Sequence, residues 1–547
     1  INDIKAGCDL SVILGYAWKL VVLSLLSLLC GYLAGIYCAE ASTGFARNLR
    51  YDIFTNIQKF SFSNIDKFSS ASLVTRLTTD IQNVQMAFMV IIRTAVRAPL
   101  NLIFSFTMAY IMGGIMAVIF LIIIPFLGIG LYLIVKTVMP IFKKGFPLFD
   151  KITRIVEENV KGIRVVKSFV REDYEINKFD ETSNDIRKMF TRAEQIIALN
   201  NPLMQISIYA VMLFVLMFGS EMIIKTNATS LDVGQLSTLM TYGFQIMVSL
   251  MMLSMVFVMI TFSEESCKRI VEVLNEKSSI TSKENAITEV KDGSIDFDHV
   301  RFKYSPTAER PVLEDIDIHI QSGETIGIIG GTGSAKSSLV QLIPRLYDVT
   351  EGTVRVGKED VRDYDLVTLR DSVAMVLQKN VLFSGTIADN IRWGNKDATL
   401  EEVKHVCHLA CADEFIEQLP DGYDTWIEQG GTNVSGGQKQ RLCIARALLK
   451  QPKILIMDDS TSAVDTKTDA IIRKAMKEYI PETTKIIIAQ RTSSVEDADR
   501  IIVLDGGKID AIGTSEELLK TNQIYREVYL SQNKQGTEEI VEEGGVR

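Results

Sequence analysis

Five apolar stretches in the first half of the chain constrain its fold more than any other feature. Each holds about 20 or more mostly apolar residues, the length that an α-helix needs to cross the hydrocarbon core of a bilayer. They lie at residues 12–38, 84–112, 114–138, 203–224 and 236–262. Pro99 and Pro125 fall inside two of them and are expected to bend these helices rather than end them. Residues 1–274 are therefore predicted to form an all-α transmembrane domain in a lipid bilayer.

The charges between these stretches set the predicted orientation. Basic residues crowd two long loops, near 50–80 and 140–195, whereas the connections on the other side are almost uncharged. The positive-inside rule therefore places both loops in the cytoplasm, as coupling loops, together with the second half of the chain. We predict a multi-pass protein of the plasma membrane. Because five spans end in the cytoplasm, we also expect one further helix before Ile1, which makes six in total.

The second half of the chain has the composition of a mixed soluble domain. A polar linker is predicted at 275–291, an α/β domain at 292–532 and a polar, acidic tail at 533–547. The net charge of −9 offers no basic surface for nucleic acid, so no nucleic-acid partner is expected. The 7 cysteines follow no disulfide framework, which suits a reducing cytosol.

A glycine-rich loop in the soluble half indicates phosphate binding. An apolar strand runs into the sequence Gly330, Gly331, Thr332, Gly333, Ser334, Ala335, Lys336, Ser337 and Ser338, and a helical segment follows. The backbone N–H groups of such a loop wrap phosphates, Lys336 reaches the β- and γ-phosphates, and the Ser337 hydroxyl binds Mg²⁺. Ala335 stands where the P-loop pattern has its second glycine. Its methyl group is tolerable if the residue has negative φ and strained if it does not.

Three further motifs follow the P-loop in order: Gln378 in VAMVLQKNVLFSG, NVSGGQ at 433–438 and ILIMDDSTSAVD at 454–465. Together they resemble the ATP-binding-cassette (ABC) family, and the resemblance covers essentially the whole chain. With six expected spans before one cassette, the chain is similar to an exporter half-transporter. The resemblance implies the type IV exporter fold, with five of six helices visible, followed by an α/β P-loop NTPase cassette. The segment 158–169 also resembles the family's second intracellular loop, which docks onto the partner's cassette.

The resemblance implies ATP and Mg²⁺ as cofactors and assigns roles around this chain's own P-loop. Tyr304 would stack on the adenine, as aromatic faces commonly do. Gln378 would contact Mg²⁺ and the attacking water while sensing the membrane helices. Asp458 would hold Mg²⁺ through water.

The resemblance also implies a contribution to a second cassette. In this family the N-terminus of the signature helix closes on the γ-phosphate held by the partner. Its residues here are Ser435, Gly436, Gly437 and Gln438. The segment from Ser462 to Asp465 is similar to the loop that crosses the dimer interface.

Three departures from the family pattern fall in one composite site. Ala335 lies in the phosphate loop, Asp459 occupies the position of the glutamate that acts as general base, and Gln490 occupies that of the switch histidine. We predict that ATP binding is retained and hydrolysis at this site is slow. The expected partner is a different half-transporter that carries the consensus Glu and His. A deliberately inactivated variant is the alternative explanation, although trapping substitutions more often replace Glu by Gln.

Function is predicted in several versions. The first is ATP-driven export of small hydrophobic or amphipathic compounds, of the multidrug type. A lipid or peptide exporter is an alternative, and so is a nucleotide-holding subunit that gates, senses or regulates without pumping. A soluble cassette ATPase is excluded because the same chain carries the membrane spans.

Overall fold

The computed structural model of the chain describes residues 9–226, 231–305, 307–460 and 464–532. Its backbone contacts divide the chain into two compact units. Unit 1 comprises Ile1–Gln58 and Ser69–Glu276, and unit 2 comprises Lys59–Phe68 and Lys277–Arg547. The predicted tail at 533–547 and the first two residues of the predicted interface loop, 462 and 463, lie outside the described residues.

The described part of the chain before the linker is helical apart from short turns. In lipid, a helix satisfies every backbone polar group within its own segment. The α-helices are α1 Leu10–Gln58, α2 Phe62–Phe68, α3 Ser70–Thr75, α4 Ile81–Val90, α5 Arg97–Gly113, α6 Val118–Lys161, α7 Ile163–Ser168, α8 Glu172–Ala198, α9 Asn200–Lys225 and α10 Val233–Asn275. Wider π-helical turns at Arg76–Asp80 and Ile91–Ala95 connect α3, α4 and α5.

The five predicted spans all lie in helices that are long and apolar enough to cross a membrane. The continuous stretches are Leu10–Gln58, Ser70–Lys161, Glu172–Lys225 and Val233–Asn275. The second of these, at 92 residues, contains two spans, which meet at Gly114 with its positive φ of 51°. As expected, α6 continues through Pro125.

Close helix packing forms the core of unit 1. Helix α10 contacts α5 and α9, and small residues allow the close approach. A Cβ on Gly243 of α10 would meet the Phe120 ring at 3.0 Å and Val211 at 3.2 Å, so a larger residue there would force these side chains apart.

A buried ionic group joins the first π-helical turn to α10. The Asp80 carboxylate is fully buried and accepts hydrogen bonds from the Ser266 hydroxyl at 2.8 Å and from the Arg269 guanidinium at 2.5 Å. One turn away, Arg76 forms an ion pair with Glu272 at 2.9 Å. A buried carboxylate is tolerated only with such partners, so these contacts fix the register of the two segments.

The described part of unit 2 contains two large sheets and one two-stranded sheet. Its strands are β1 Ile295–Phe302, β2 Leu313–Ile320, β3 Thr325–Gly330, β4 Glu351–Val356, β5 Glu359–Asp360, β6 Val373–Val376, β7 Gly385–Thr386, β8 Trp426–Ile427, β9 Ile454–Asp458, β10 Thr484–Ile488, β11 Arg500–Asp505 and β12 Lys508–Gly513. The larger sheet has the order β12-β11-β3-β10-β9-β6 and is parallel except for β12. The smaller, antiparallel sheet has the order β2-β1-β4-β5, and β7 pairs with β8.

The described helices after the linker begin, in most cases, at a residue whose side chain caps the first turn. They are α11 Lys336–Gln341, α12 Leu366–Ser372, α13 Ile387–Arg392, α14 Leu400–Leu409, α15 Asp413–Ile416, α16 Gly436–Leu449, α17 Thr466–Tyr479, α18 Ser515–Thr521 and α19 Gln523–Gln532. Reciprocal capping boxes start α13, α14, α16 and α18, each from a Ser or Thr followed three residues later by an acid or glutamine.

The short helix α2, which the sequence assigns to the coupling loop near 50–80, belongs to unit 2. Asn64 accepts from the backbone N–H of Ser279 at 3.2 Å and donates to the Lys277 carbonyl at 3.1 Å. The Tyr347 hydroxyl donates to the Asp66 carboxylate at 2.8 Å. These contacts are distant in sequence, so no local pattern could have assigned the helix to this unit. The other domain boundaries stay predictions.

Candidate nucleotide-binding site

The parallel sheet of unit 2 gathers the predicted site residues at one edge. Strands β3, β10, β9 and β6 are consecutive neighbours and run in the same direction, so their carboxyl ends lie side by side. The P-loop follows β3, Gln490 follows β10, Asp458 ends β9 and Gln378 follows β6. Ligands of open α/β sheets bind at this edge, which makes it the candidate nucleotide site.

The phosphate loop between β3 and α11 is tightly folded. The Lys336 ammonium donates to the Gly330 and Gly331 carbonyls, both at 2.8 Å, and to the Ser334 hydroxyl at 3.2 Å. A Cβ on Gly330 would lie 2.2 Å from the carbonyl oxygen of Leu504, so only glycine fits there. Burial lowers the pKa of Lys336, while the charges of Asp458 and Asp459 oppose this shift.

Ala335 adopts the left-handed conformation, with φ 70° and ψ 23°. Because φ is positive, the backbone of Ala335 is strained: a Cβ in this region costs about 1–2 kcal/mol. Glycine, which the family pattern has here, adopts it without that cost.

Replacing Ala335 by glycine is expected to relieve this strain in the folded loop. Glycine also raises the entropy of the unfolded chain, so the net gain in stability should be at most about 1 kcal/mol. Thermal unfolding and the affinity for MgATP of Ala335→Gly, compared with the wild-type chain, measure the effect. A lower melting temperature combined with weaker MgATP binding would contradict the strain.

Two oxygen ligands suitable for Mg²⁺ lie together beside the loop. Asp458 is buried, and the Ser337 hydroxyl lies close enough to its carboxylate to influence its pKa. Burial raises the pKa of Asp458, while the Ser337 hydroxyl and the Lys336 charge oppose the shift. A carboxylate and a hydroxyl are the hard oxygen donors that Mg²⁺ prefers, so the residues present fit this ion. Bound there with ATP, Mg²⁺ would neutralise phosphate charge.

Asp459 is held by two glutamine side chains. Its Oδ2 accepts from the Gln490 amide at 2.7 Å and from the Gln378 amide at 3.3 Å, and the residue is 9% exposed. Its backbone is fixed by a hydrogen bond to the Ile488 carbonyl at 2.9 Å and has a positive φ of 50°. The structure thus brings together all three residues of the predicted catalytic set, although their roles stay predictions.

Tyr304 contacts the protein through its hydroxyl and its ring. The hydroxyl and that of Ser338 are hydrogen-bonded at 2.8 Å, and the ring is perpendicular to that of Tyr347 at 5.1 Å between centroids. The residue is 47% exposed, so part of the ring is accessible to a stacking partner. Adenine stacking stays a prediction. Sequence reasoning missed Tyr347, since an isolated tyrosine after a helix gives no signal.

The signature segment opens α16 as expected. Ser435 caps the helix, its backbone N–H donates to the Gln438 side chain at 2.9 Å, and Gly436 and Gly437 form the first turn. The capped first turn leaves its glycine N–H groups able to meet an anion. The role of these residues toward another cassette stays a prediction.

Together, a helical membrane domain and a P-loop domain with a signature helix define a membrane transport ATPase. Residues 3–262 match the family described as ABC transporter transmembrane region, and residues 313–462 match ABC transporter. An uncharacterized ABC transporter ATP-binding protein, YfiB of Bacillus subtilis, is 34% identical over 98% of this chain and 93% of its own. The ATP-dependent lipid A-core flippase of Desulfotalea psychrophila is 32% identical over 92% and 87%. The chain belongs to the ABC transporter family.

A solved structure confirms the fold class. The structure of a bacterial Atm1-family ABC exporter with ATP bound superposes with a TM-score of 0.86 over 98% of this chain and 94% of that chain, at 24% identity. The protein is therefore an ABC transporter of the type IV fold, with multiple membrane spans and a cytoplasmic ABC ATPase domain.

Proposed function

We propose that this chain is the slow-hydrolysing half of a heterodimeric exporter. The observation that carries the proposal is the contact of Gln490 with the Asp459 carboxylate at 2.7 Å. The group in the general-base position is a short carboxylate that already accepts two amide hydrogen bonds, so an attacking water must compete with them. The side chain in the switch position is an amide, which cannot titrate.

The two substitutions reduce catalysis far more than binding. An aspartate withdraws the carboxylate by one methylene relative to glutamate, and a misplacement of about 1 Å can cost about 10²-fold in rate. Loss of general-base help costs about 10²–10⁴-fold. ATP affinity rests instead on backbone N–H groups, Lys336 and Mg²⁺, which are the parts of the site that retain suitable chemistry. ATP would therefore be held for long periods.

The signature segment supports a second cassette as partner. In a head-to-tail cassette dimer, Ser435 and the two glycines that follow would serve the ATP bound by the other chain. A self-dimer would contain two impaired sites, whereas a heterodimer would contain one impaired and one competent site. We therefore favour a second half-transporter that supplies the Glu and the His.

Turnover of the purified chain alone tests this assignment. We expect MgATP binding with little hydrolysis, measured as bound nucleotide and released phosphate in lipid nanodiscs. Lys336→Ala is the control, because it should abolish the binding itself. Rapid hydrolysis by the wild-type chain without a partner would refute the impaired site.

The substrate class is proposed to be small hydrophobic or amphipathic compounds. Lipid export is the second candidate, because one curated relative is named as a lipid flippase. Two probes distinguish these candidates: a fluorescent hydrophobic cation and a labelled phospholipid. The measurement is their ATP-dependent uptake into inverted membrane vesicles that contain the protein. Uptake of neither, with or without ATP, would favour the gating or regulatory alternative.

A further inference from the structure

Gln532, on the last described helix α19, is hydrogen-bonded to the segment that carries Gln490. The Gln532 carbonyl oxygen accepts from the Thr492 backbone N–H at 2.9 Å and from the Thr492 hydroxyl at 3.2 Å. The Gln532 amide nitrogen donates to the Gln490 backbone carbonyl at 2.8 Å. One primary amide thus pairs with a main-chain acceptor and a main-chain donor two residues apart, as a neighbouring strand would.

Helix α19 is firmly attached to the strands that support the nucleotide site. Tyr525 is fully buried, and its hydroxyl and that of Ser515 are hydrogen-bonded at 2.8 Å. The Tyr525 ring belongs to the same buried cluster as Ile329, which precedes the P-loop, and Ala489, which precedes Gln490. Gln532 therefore reaches the 490–492 segment from a fixed base.

The 490–492 segment, which Gln532 contacts, carries the Gln490 side chain that is hydrogen-bonded to Asp459. The Gln490 side chain donates to Asp459 at 2.7 Å, while the Gln490 carbonyl, on the same residue, accepts from Gln532. Thr492 is 1% exposed, so its backbone N–H depends on a protein partner. Without the Gln532 amide, the backbone on the C-terminal side of Gln490 would lose two of its fixed contacts.

We propose that Gln532 is a positioning residue for the nucleotide site, acting through the backbone of Gln490 and Thr492 to hold the Gln490 side chain against Asp459. The proposal rests on the proposed roles of Gln490 and Asp459. It assigns to α19 the positioning of the Gln490 side chain, which neither the signature segment nor the P-loop provides.

The test uses the full chain with Gln532→Met, which keeps the length of the side chain and removes both hydrogen-bonding groups. Gln523→Met is the matched control, because Gln523 lies on the same helix and its amide donates to Glu527 at 2.8 Å instead. The first readout is hydrogen–deuterium exchange of peptides covering residues 489–494. We expect faster exchange in Gln532→Met and wild-type exchange in Gln523→Met.

The second readout is the single-turnover rate of ATP hydrolysis. Gln532→Met should change this rate about tenfold with little change in MgATP affinity, since a small misplacement acts on the chemical step. In a Gln490→Ala background the same substitution should have no further effect, because Gln532 acts through Gln490.

Three outcomes would overturn the proposal: unchanged exchange, faster exchange with an unchanged rate, and an equal effect in the Gln490→Ala background. Rapid hydrolysis by the wild-type chain would refute the proposal of an impaired site but not the proposed role of Gln532. In that case the exchange experiment and the double-mutant comparison would still test the positioning role of Gln532.

Discussion

Replacing Asp459 by glutamate and Gln490 by histidine together is expected to raise the ATP turnover of the purified chain by about 10²-fold. The glutamate extends the carboxylate by one methylene toward the phosphates, and the histidine supplies a group that can donate a hydrogen bond and carry charge. Because the chain contains its own NVSGGQ segment, a self-dimer of the double variant would hold two restored sites. Phosphate release from the chain in nanodiscs, at saturating MgATP, measures the gain.

The single variants and a distant control show whether a gain in the ATP turnover of the double variant comes from these two residues. Asp459→Glu and Gln490→His should each restore less than the pair, since the two side chains are in direct contact and act as a unit. Asp421→Glu makes the same chemical change at an exposed turn and should leave turnover unchanged. A double variant as slow as the wild-type chain would show that these two residues do not limit hydrolysis.

Replacing Asp80 by alanine is expected to lower the free energy of unfolding by about 1.5–3 kcal/mol, because it removes the charge-assisted hydrogen bond that this buried carboxylate accepts from Arg269 at 2.5 Å. The Ser266 hydroxyl loses its acceptor as well. Thermal unfolding followed by intrinsic fluorescence in detergent measures the loss as a lower melting temperature.

An exposed ion pair on the same helix provides the comparison. Lys268 and Glu264 form a pair at 2.7 Å with side chains that are 61% and 49% exposed, so Lys268→Ala should cost only about 0.3–0.5 kcal/mol. Similar losses in Asp80→Ala and Lys268→Ala would mean that the buried group does not hold α10 to the first π-helical turn.

The sequence predicted the fold class and the membrane orientation because both depend on local quantities. The length of an apolar segment decides whether it crosses a bilayer, and the charges beside it decide which end is cytoplasmic. The start of α16 is equally local, since the Ser435 side chain caps the N–H group of Gln438. The identities of the P-loop residues likewise follow from a contiguous motif.

Other features depended on contacts between residues far apart in the chain. The sequence identified Ala335 as a departure but could not give its φ of 70°, which the surrounding loop imposes. Gln378 and Gln490 were each predicted from a motif, yet their common contact with one oxygen of Asp459 follows from the order of β6, β9 and β10 in the sheet.

By itself, then, the sequence predicted which segments enter the membrane and which loop would bind phosphate, and it identified the three positions that depart from the family pattern. Only the tertiary structure decided that Ala335 is strained, that Asp459 is bonded by two amides, and that Gln532 contacts the Gln490 segment. The physical reason is that membrane insertion and the chemistry of a motif depend on residues that are neighbours in the sequence. Backbone conformation in a loop and hydrogen bonds between strands are fixed by the packing of the whole unit.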